Sequence, residues 1–198
     1  MMKRLFFITL FFALSLATAV AQTGKSDEMI RQIVEANEAM QKIECDFVQT
    51  HQSSLVEEAD VSKGTMCFRN PDYVKWEYVT PNQFAFIEDG NSLTVIKDGK
   101  QEVLDPAVGK VVKDMTRMIT NSIRGSNMAD GRMFKTAVED TGKEWVAVMV
   151  PVDAILRKKI GKLVINFDAV RKCALKVRIY TPAGDTTVIE FKNIRIDG

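Results

Sequence analysis

Residues 64–81 read GTMCFRNPDYVKWEYVTP, and this stretch decides the fold. Polar and apolar side chains alternate on both sides of Asn70-Pro71, as they do in strands with one buried face. The Asn-Pro pair is typical of a turn, and Thr80-Pro81 ends the second run. The stretch therefore predicts a β-hairpin made of two strands, 63–69 and 73–79.

Further strands and a helix extend from this hairpin in both directions. Upstream, residues 44–56 alternate and predict a strand. Residues 26–43 before them repeat apolar side chains at helical spacing behind an N-cap, Ser26, and predict an amphipathic helix. Downstream, Asp89-Gly90 and Asp98-Gly99 are typical of tight hairpin turns. The strands next to these two turns are 82–88, 92–97 and 100–104.

A second helix interrupts the run of strands. Asp105-Pro106 breaks the sheet, and residues 108–124 then predict a helix with Gly125 as its C-cap. A loop rich in Gly, Asn and Asp follows at 125–132, and a short helix is predicted at 152–159. The remaining predicted strands are 133–139, 144–150, 162–167, 173–181 and 186–194.

These elements predict a mainly β fold of the α+β class. Consecutive hairpins make the sheet antiparallel, and a sheet of about ten strands curls. We expect an incomplete, strongly curved antiparallel barrel. The N-terminal helix and the inserted helix, each with one apolar face, would cover its concave side, with the inserted helix acting as a lid.

Composition and the N-terminal segment bound the function. The chain has 198 residues, 46% of them hydrophobic, and a net charge of +1, which argues against a nucleic-acid partner. Lys3 and Arg4 precede an apolar run, and a small-x-small site ends at Ala21. This pattern predicts a secretory signal peptide over 1–21, cleaved after Ala21, and a single domain over 22–198.

Residue patterns typical of catalysis are absent from the sequence. The single histidine, His51, shares a predicted strand with Cys45, but about 20 Å of extended chain separates the two. No HExxH, CxxC, phosphate-loop or G-x-S-x-G pattern occurs. Acidic pairs such as Glu88-Asp89 lie beside turns, where carboxylates commonly bond to the backbone. We therefore expect no enzyme, no cofactor and no metal.

The three cysteines are Cys45, Cys67 and Cys173. Their odd number means that at least one thiol is free or pairs between chains. They are too few for a disulfide scaffold and are typical of small buried hydrophobic residues. A Cys45–Cys67 bridge stays open at this stage.

Aromatic and methionine residues crowd the first strands and the inserted helix. Considered one at a time, each of these residues is typical of an ordinary hydrophobic core. As a group beneath movable helices, they could enclose an apolar cavity. The flexible methionine side chain suits such a cavity. On the sheet side the candidates are Phe47, Met66, Phe68, Val74, Trp76, Phe84 and Phe86. On the lid side they are Met115, Met118 and Ile119.

Several short motifs, in order, resemble a known family. They are Phe47-x-Gln49, Gly64-x-Met66-x-Phe68-x-x-Pro71, Trp76-x-Tyr78-x-x-Pro81, Asp89-Gly90-x-x-Leu93 and a final Phe191-x-Asn193-Ile194. The sequence resembles periplasmic outer-membrane lipoprotein carriers of the LolA type. The resemblance implies a monomeric periplasmic protein with an incomplete barrel and a helical lid. It also implies binding of the acyl chains of lipidated proteins, received from an inner-membrane ABC transporter and delivered to an outer-membrane acceptor.

One residue departs from the pattern of this family. Its members have an arginine directly before the proline of the Gly64–Pro71 motif, and that arginine latches the lid. Here Asn70 takes the place, and Arg69 lies one step earlier. One step along a strand reverses the face, so Arg69 is a candidate latch only if the strand bulges locally.

Three alternatives remain open on the sequence. The first is a carrier or sensor of another amphiphile, such as a glycolipid or fatty acid, because a fold does not fix its ligand. The second is an enzyme acting on a lipid or envelope polymer. The third is a structural or signalling module with a filled core and no cavity.

Overall fold

The computed structural model describes residues 24–90, 92–104 and 106–198. Within 106–123, the side chains at 106–108, 111, 112 and 115 are not described. The predicted signal peptide and the side chain of Met115 therefore lie outside the described part of the chain.

The described residues form eleven strands and four helical segments. The strands are β1 Lys42–Gln52, β2 Asp60–Arg69, β3 Tyr73–Thr80, β4 Phe84–Asp89, β5 Ser92–Lys97, β6 Lys100–Glu102, β7 Phe134–Asp140, β8 Glu144–Pro151, β9 Lys162–Asp168, β10 Ala174–Tyr180 and β11 Thr186–Asp197. The helices are α1, described over 24–39, α2 Pro106–Ile123, α3 Ser126–Ala129 and a single 3₁₀ turn at Leu156–Lys158.

All eleven strands belong to one antiparallel sheet. Their order is β6-β5-β4-β3-β2-β1-β11-β10-β9-β8-β7. The first and last strands pair at its centre, with Lys42 opposite Asp197 and Gln52 opposite Thr186. The outer strands β6 and β7 are joined by the segment that contains α2 and α3. The two helices are therefore inserted between the two edges of the sheet.

This architecture confirms the predicted fold class. The sheet is open, strongly curved and antiparallel, as an incomplete α+β barrel requires. The hairpin turns at Asp89-Gly90 and Asp98-Gly99 join β4 to β5 and β5 to β6. The count differs by one strand from the prediction of about ten.

The N-terminal helix differs from the prediction at both ends. It includes residue 24, so Ser26 lies within it and is not an N-cap; its hydroxyl oxygen accepts a hydrogen bond from the Val138 amide (2.9 Å). The helix ends at 39, and Ile43 lies in β1. Pairing with β2 and β11 takes over there, since the Gln41 amide already donates to the Asp197 carbonyl (2.9 Å).

Two smaller elements also differ. The predicted loop at 125–132 contains α3, where the buried Asn127 side chain donates to the carbonyl oxygen of Met118 and to Ser122 Oγ, both at 3.1 Å. The helix predicted at 152–159 is a single turn, Leu156–Lys158. Near this turn the Asp153 carboxylate accepts hydrogen bonds from the amides of Ile155 and Leu156, at 2.9 and 2.8 Å. Periodicity reveals neither set of polar contacts.

The core lies between the helices and one face of the sheet, which we call the inner face. Directly opposite residues of an antiparallel ladder share a face. On the inner face, buried side chains run from Phe47 in the first half to Leu163 in the second, and Ile33 of α1 and Met118 of α2 belong to the same cluster. Buried polar contacts also fix α1, since Asn37 Nδ2 donates to the Lys172 carbonyl (2.9 Å).

Candidate functional site

The predicted sheet-side residues share the inner face. Phe47 lies opposite Gly64, Met66 lies opposite Trp76, and Trp76 lies opposite Phe86. The other pairs follow the same alternation, so all seven candidates project towards the helices. They are Phe47, Met66, Phe68, Val74, Trp76, Phe84 and Phe86.

These side chains fill the space beneath the helices as a continuous core. Five of them are buried, and only Phe84 and Phe86 on β4 are half-buried. On α2, Met118 is buried and Ile119 is half-buried against the same cluster. The structure therefore brings the described candidates together in a closed arrangement. Their role in binding acyl chains stays a prediction.

Aromatic rings form a chain across β1, β3 and β4. Phe47 contacts Trp76 and Tyr78 edge-on, with ring centroids 5.2 and 5.0 Å apart, and Tyr78 stacks on Phe84 at 4.3 Å. The Tyr78 hydroxyl donates to Gln49 Oε1 (3.0 Å), and burial raises the pKa of Tyr78 to about 12. Tyr78 was missed among the candidates, although its place two residues after Trp76 puts it on the same face.

Arg117 ties α2 to the sheet. Its guanidinium donates to the Glu88 carboxylate and, at 2.6 Å, to the Gly90 carbonyl. The Glu88 side chain is 5% exposed and that of Arg117 44%. A buried carboxylate needs such a partner. Sequence reasoning placed Glu88 among turn carboxylates, yet its alternation with Phe86 already put it on the inner face.

Arg69 does not occupy the position of a latch. It lies opposite Tyr73 in the ladder, and its guanidinium sits over the Tyr73 ring, 3.9 Å from the centroid. Phe68 faces inwards, so its neighbour Arg69 faces outwards, away from α2. No bulge reverses this part of β2. The latch hypothesis for Arg69 is therefore corrected: Arg117 of α2 makes the contacts that hold this helix.

The three cysteines are free thiols. Cys45 lies opposite Met66 on the inner face, so Cys67 projects to the other face and no bridge joins the two. Burial raises the pKa of Cys45 to about 12 and also raises that of Cys173. Protonated thiols are poor nucleophiles. The described residues bring together no group of three or more metal-ligating side chains.

The raised pKa of Cys45 predicts an alkaline loss of stability. The folded state keeps the Cys45 proton up to about pH 12, whereas the unfolded state releases it near the ordinary thiol pKa of 9.0. Because the folded state then binds more protons, the free energy of unfolding should fall as pH rises from 9 to about 12. Urea denaturation at pH 8 and pH 11 measures this. Cys45→Ala should show a smaller difference between the two pH values, and an unchanged difference would contradict the assignment.

Comparisons with solved structures show the same fold in distant proteins. The chain resembles MucB in the MucA/MucB complex of Pseudomonas aeruginosa (11% identity, TM-score 0.54, covering 88% of this chain and 58% of that one). Another structure of MucB gives 11% identity and a TM-score of 0.55, covering 88% and 60% of the two chains. The chain thus spans about three fifths of the MucB chains. The Mycobacterium tuberculosis lipoprotein LppX gives 10% identity and a TM-score of 0.50, covering 86% and 97%.

Sequence comparisons identify the family. No curated protein matches the chain significantly. None of the helices in the described ranges has the length and hydrophobicity that crossing a membrane requires. The family model of the outer membrane lipoprotein carrier protein LolA, however, matches residues 38–197. Since this match takes in every strand of the sheet, the chain belongs to the LolA family.

Proposed function

We propose that this protein is a periplasmic carrier that holds the acyl chains of lipoproteins between α2 and the inner face of the sheet. The observation that carries the proposal is the continuous apolar layer shared by β1–β4 and α2. The helix that covers it is inserted between the edge strands β6 and β7 and is tied down by Arg117. Membership of the LolA family supports the same reading.

The free energy gained by burying an acyl chain favours its replacing the α2 side chains against the sheet. Burying one methylene group contributes about 0.8 kcal/mol, so a single long acyl chain gains roughly 10 kcal/mol from a dry site. Entering chains would take the place of Met118 and Ile119 against the sheet. Methionine tolerates such repacking because its side chain is unbranched and flexible. No backbone hydrogen bond of the sheet has to break, because α2 belongs to no ladder.

The proposal includes partners on both membranes and no catalysis. By family, the lipidated cargo would come from an inner-membrane ABC transporter and pass to an outer-membrane acceptor. The absence of catalysis is supported by the protonated state of Cys45 and Cys173. It is also supported by His51, whose Nδ1 lies 3.0 Å from the Thr187 hydroxyl and not beside a thiol.

Detergent-free purification tests the proposal directly. The protein is expressed from its full-length sequence and isolated from periplasm, and whatever remains bound to it is identified by mass spectrometry. Acylated lipoproteins in stoichiometric amounts are the expected result. Recovery of free lipid alone would favour a carrier of another amphiphile. A protein that carries nothing and also fails to bind a synthetic triacylated lipopeptide would contradict the proposal.

A matched pair of α2 variants tests the site. Ile119→Asn places an amide in the apolar layer, and we expect it to weaken binding of a triacylated lipopeptide about tenfold, since a tenfold change corresponds to ~1.4 kcal/mol. Asp114→Asn places the same side chain at an exposed position of the same helix and should have no effect. Fluorescence titration measures both. Equal affinities would remove Ile119 from the site.

A further inference from the structure

A pocket of about 340 Å³ lies between α2 and the ends of β2, β3 and β4. Its sheet wall is apolar in part, with Phe68 and Val74 contributing, whereas its helix wall is polar. The function proposed above uses the apolar layer beneath α2 and assigns nothing to this neighbouring space, which we call the α2 pocket.

The helix wall of the α2 pocket is one stripe of α2. The lining residues Arg117, Thr120, Asn121 and Arg124 recur at positions i, i+3, i+4 and i+7. This spacing places them on one side of a helix. Met118 and Ile123, which are buried in the core, lie on the two flanks of this stripe, since five residues turn a helix by about 140°. The helix therefore presents an apolar stripe to the sheet and a polar stripe to the pocket.

Two buried donors in this stripe have no hydrogen-bond partner among the described residues. Arg124 Nε and Thr120 Oγ1 are both buried and lack a hydrogen bond within the described part of the chain. A buried donor without an acceptor costs free energy, which an oxygen atom of a ligand would recover. Thr120 and Arg124 are four residues apart, about one helical turn, so both side chains project from the same side of α2.

The Arg124 guanidinium has carboxylates in its neighbourhood but pairs with none of the described ones. Its guanidinium lies over the ring of Phe68, 4.2 Å from the centroid, and forms no ion pair with any described residue. Glu88 is already paired with Arg117, and Asp72 at the mouth is exposed. Burial lowers the pKa of Arg124, and the carboxylates of Glu38 and Asp72 act against this shift without forming an ion pair with the guanidinium.

We propose that the α2 pocket binds an oxyanion, the carboxylate or phosphate head group of an amphiphile. The Arg124 guanidinium and the Thr120 hydroxyl donate to the oxyanion, while the start of the apolar chain lies along Phe68 and Val74. The inference rests on the proposed function in one respect, because the rest of that chain would enter the apolar layer beneath α2.

Three probes share a twelve-carbon chain and differ only in head group, so their affinities distinguish binding of the head group from binding of the chain. Dodecyl phosphate, dodecanoate and dodecyl maltoside are titrated as monomers into the full-length protein by calorimetry. A charge-assisted hydrogen bond corresponds to about tenfold in affinity or more. We therefore expect at least one anionic probe to bind at least about tenfold more tightly than the maltoside. Preference for the phosphate or for the carboxylate identifies the source of the oxyanion.

Arg124→Met and a control arginine test the cation. Methionine keeps an apolar contact with Phe68 but has no donor, so Arg124→Met should weaken the anionic probes about tenfold or more and leave the maltoside unchanged. Arg132→Met removes the same charge from a side chain that is 90% exposed and outside the pocket. It should change neither affinity. Equal losses in the two variants would overturn the proposal.

Thr120→Val provides a second, independent variant. It removes the unpartnered hydroxyl at nearly constant volume, so the melting temperature of the ligand-free protein should not fall. Binding of the anionic probe should nevertheless weaken about fivefold, an effect that a purely structural role of Thr120 would not produce. Unchanged binding in Thr120→Val would overturn the proposal even if Arg124→Met failed to fold.

The same titrations separate the two proposals. Tight binding of the maltoside without preference for either anion would overturn the oxyanion site and leave the acyl-chain carrier standing. If the protein bound none of the three probes, both proposals would be contradicted, because even the apolar chain would then have no binding site.

Discussion

Gly64→Ala is expected to lower the free energy of unfolding by about 3 kcal/mol or more. A methyl group at this position would overlap the carbonyl oxygen of Glu77 and lie 2.7 Å from Cζ of Phe47. The Glu77 oxygen belongs to the backbone of β3 and moves only with the strand. The Phe47 ring is buried between Trp76 and Tyr78 and has no free space to enter. Neither neighbour can give way cheaply.

Gly131→Ala is the matched control for this prediction. A methyl group there meets no atom within 4 Å, and the residue needs no left-handed backbone conformation. Urea denaturation should show little change for Gly131→Ala. For Gly64→Ala, a loss of about 3 kcal/mol corresponds to a fall in melting temperature of roughly 6–12 °C. Similar stabilities of the two variants would show that β2 and β3 separate here without cost.

Arg117→Met is expected to loosen α2 from the sheet. The substitution leaves the Glu88 carboxylate buried without its partner, which costs about 2–3 kcal/mol after allowing for the partial exposure of Arg117. Water can reach that carboxylate if α2 lifts, a smaller change than unfolding the sheet. We therefore expect increased binding of a naphthalene sulfonate dye and faster proteolysis within α2, with the unfolding of the sheet still cooperative.

Two further variants make the test of α2 specific. Lys110→Met removes the cation of an exposed ion pair with Asp114 on the same helix, and such pairs contribute ~0–1 kcal/mol. Its dye binding should match that of the unchanged protein. Adding Glu88→Gln to Arg117→Met removes the buried charge and should reduce dye binding again. If Lys110→Met increased dye binding as much as Arg117→Met, the contact between Arg117 and Glu88 would not be what holds α2 on the sheet.

The faces of the strands were predictable because the period of a strand is two. Once Trp76 was placed inside, alternation also placed Val74 inside, and pairing across hairpins extended this to Phe86. The boundary between α1 and β1 was not predictable, because apolar residues near Ile43 fit both periods. Pairing with β11, more than a hundred residues later in the chain, decides it.

The contacts that hold α2 could not be read from the sequence. Glu88 and Arg117 lie on separate elements, and only the three-dimensional fold brings them together. One signal was present: Glu88 continues the inner-face alternation of Phe84 and Phe86, and a charge in an apolar series calls for a partner. The α2 pocket gave no such signal, because its helix wall is an ordinary polar stripe until the sheet ends are placed beside it.

The position of the central seam separates two kinds of motion. β1 and β11 join the halves of the sheet at its middle, whereas α2 spans the gap between the outermost strands. Amides of the seam should exchange with deuterated solvent only through global unfolding, and those of α2 through a sub-global opening of lower free energy. The molecule can therefore open and close many times in a working cycle while its population of unfolded chains, and with it the risk of aggregation, stays constant.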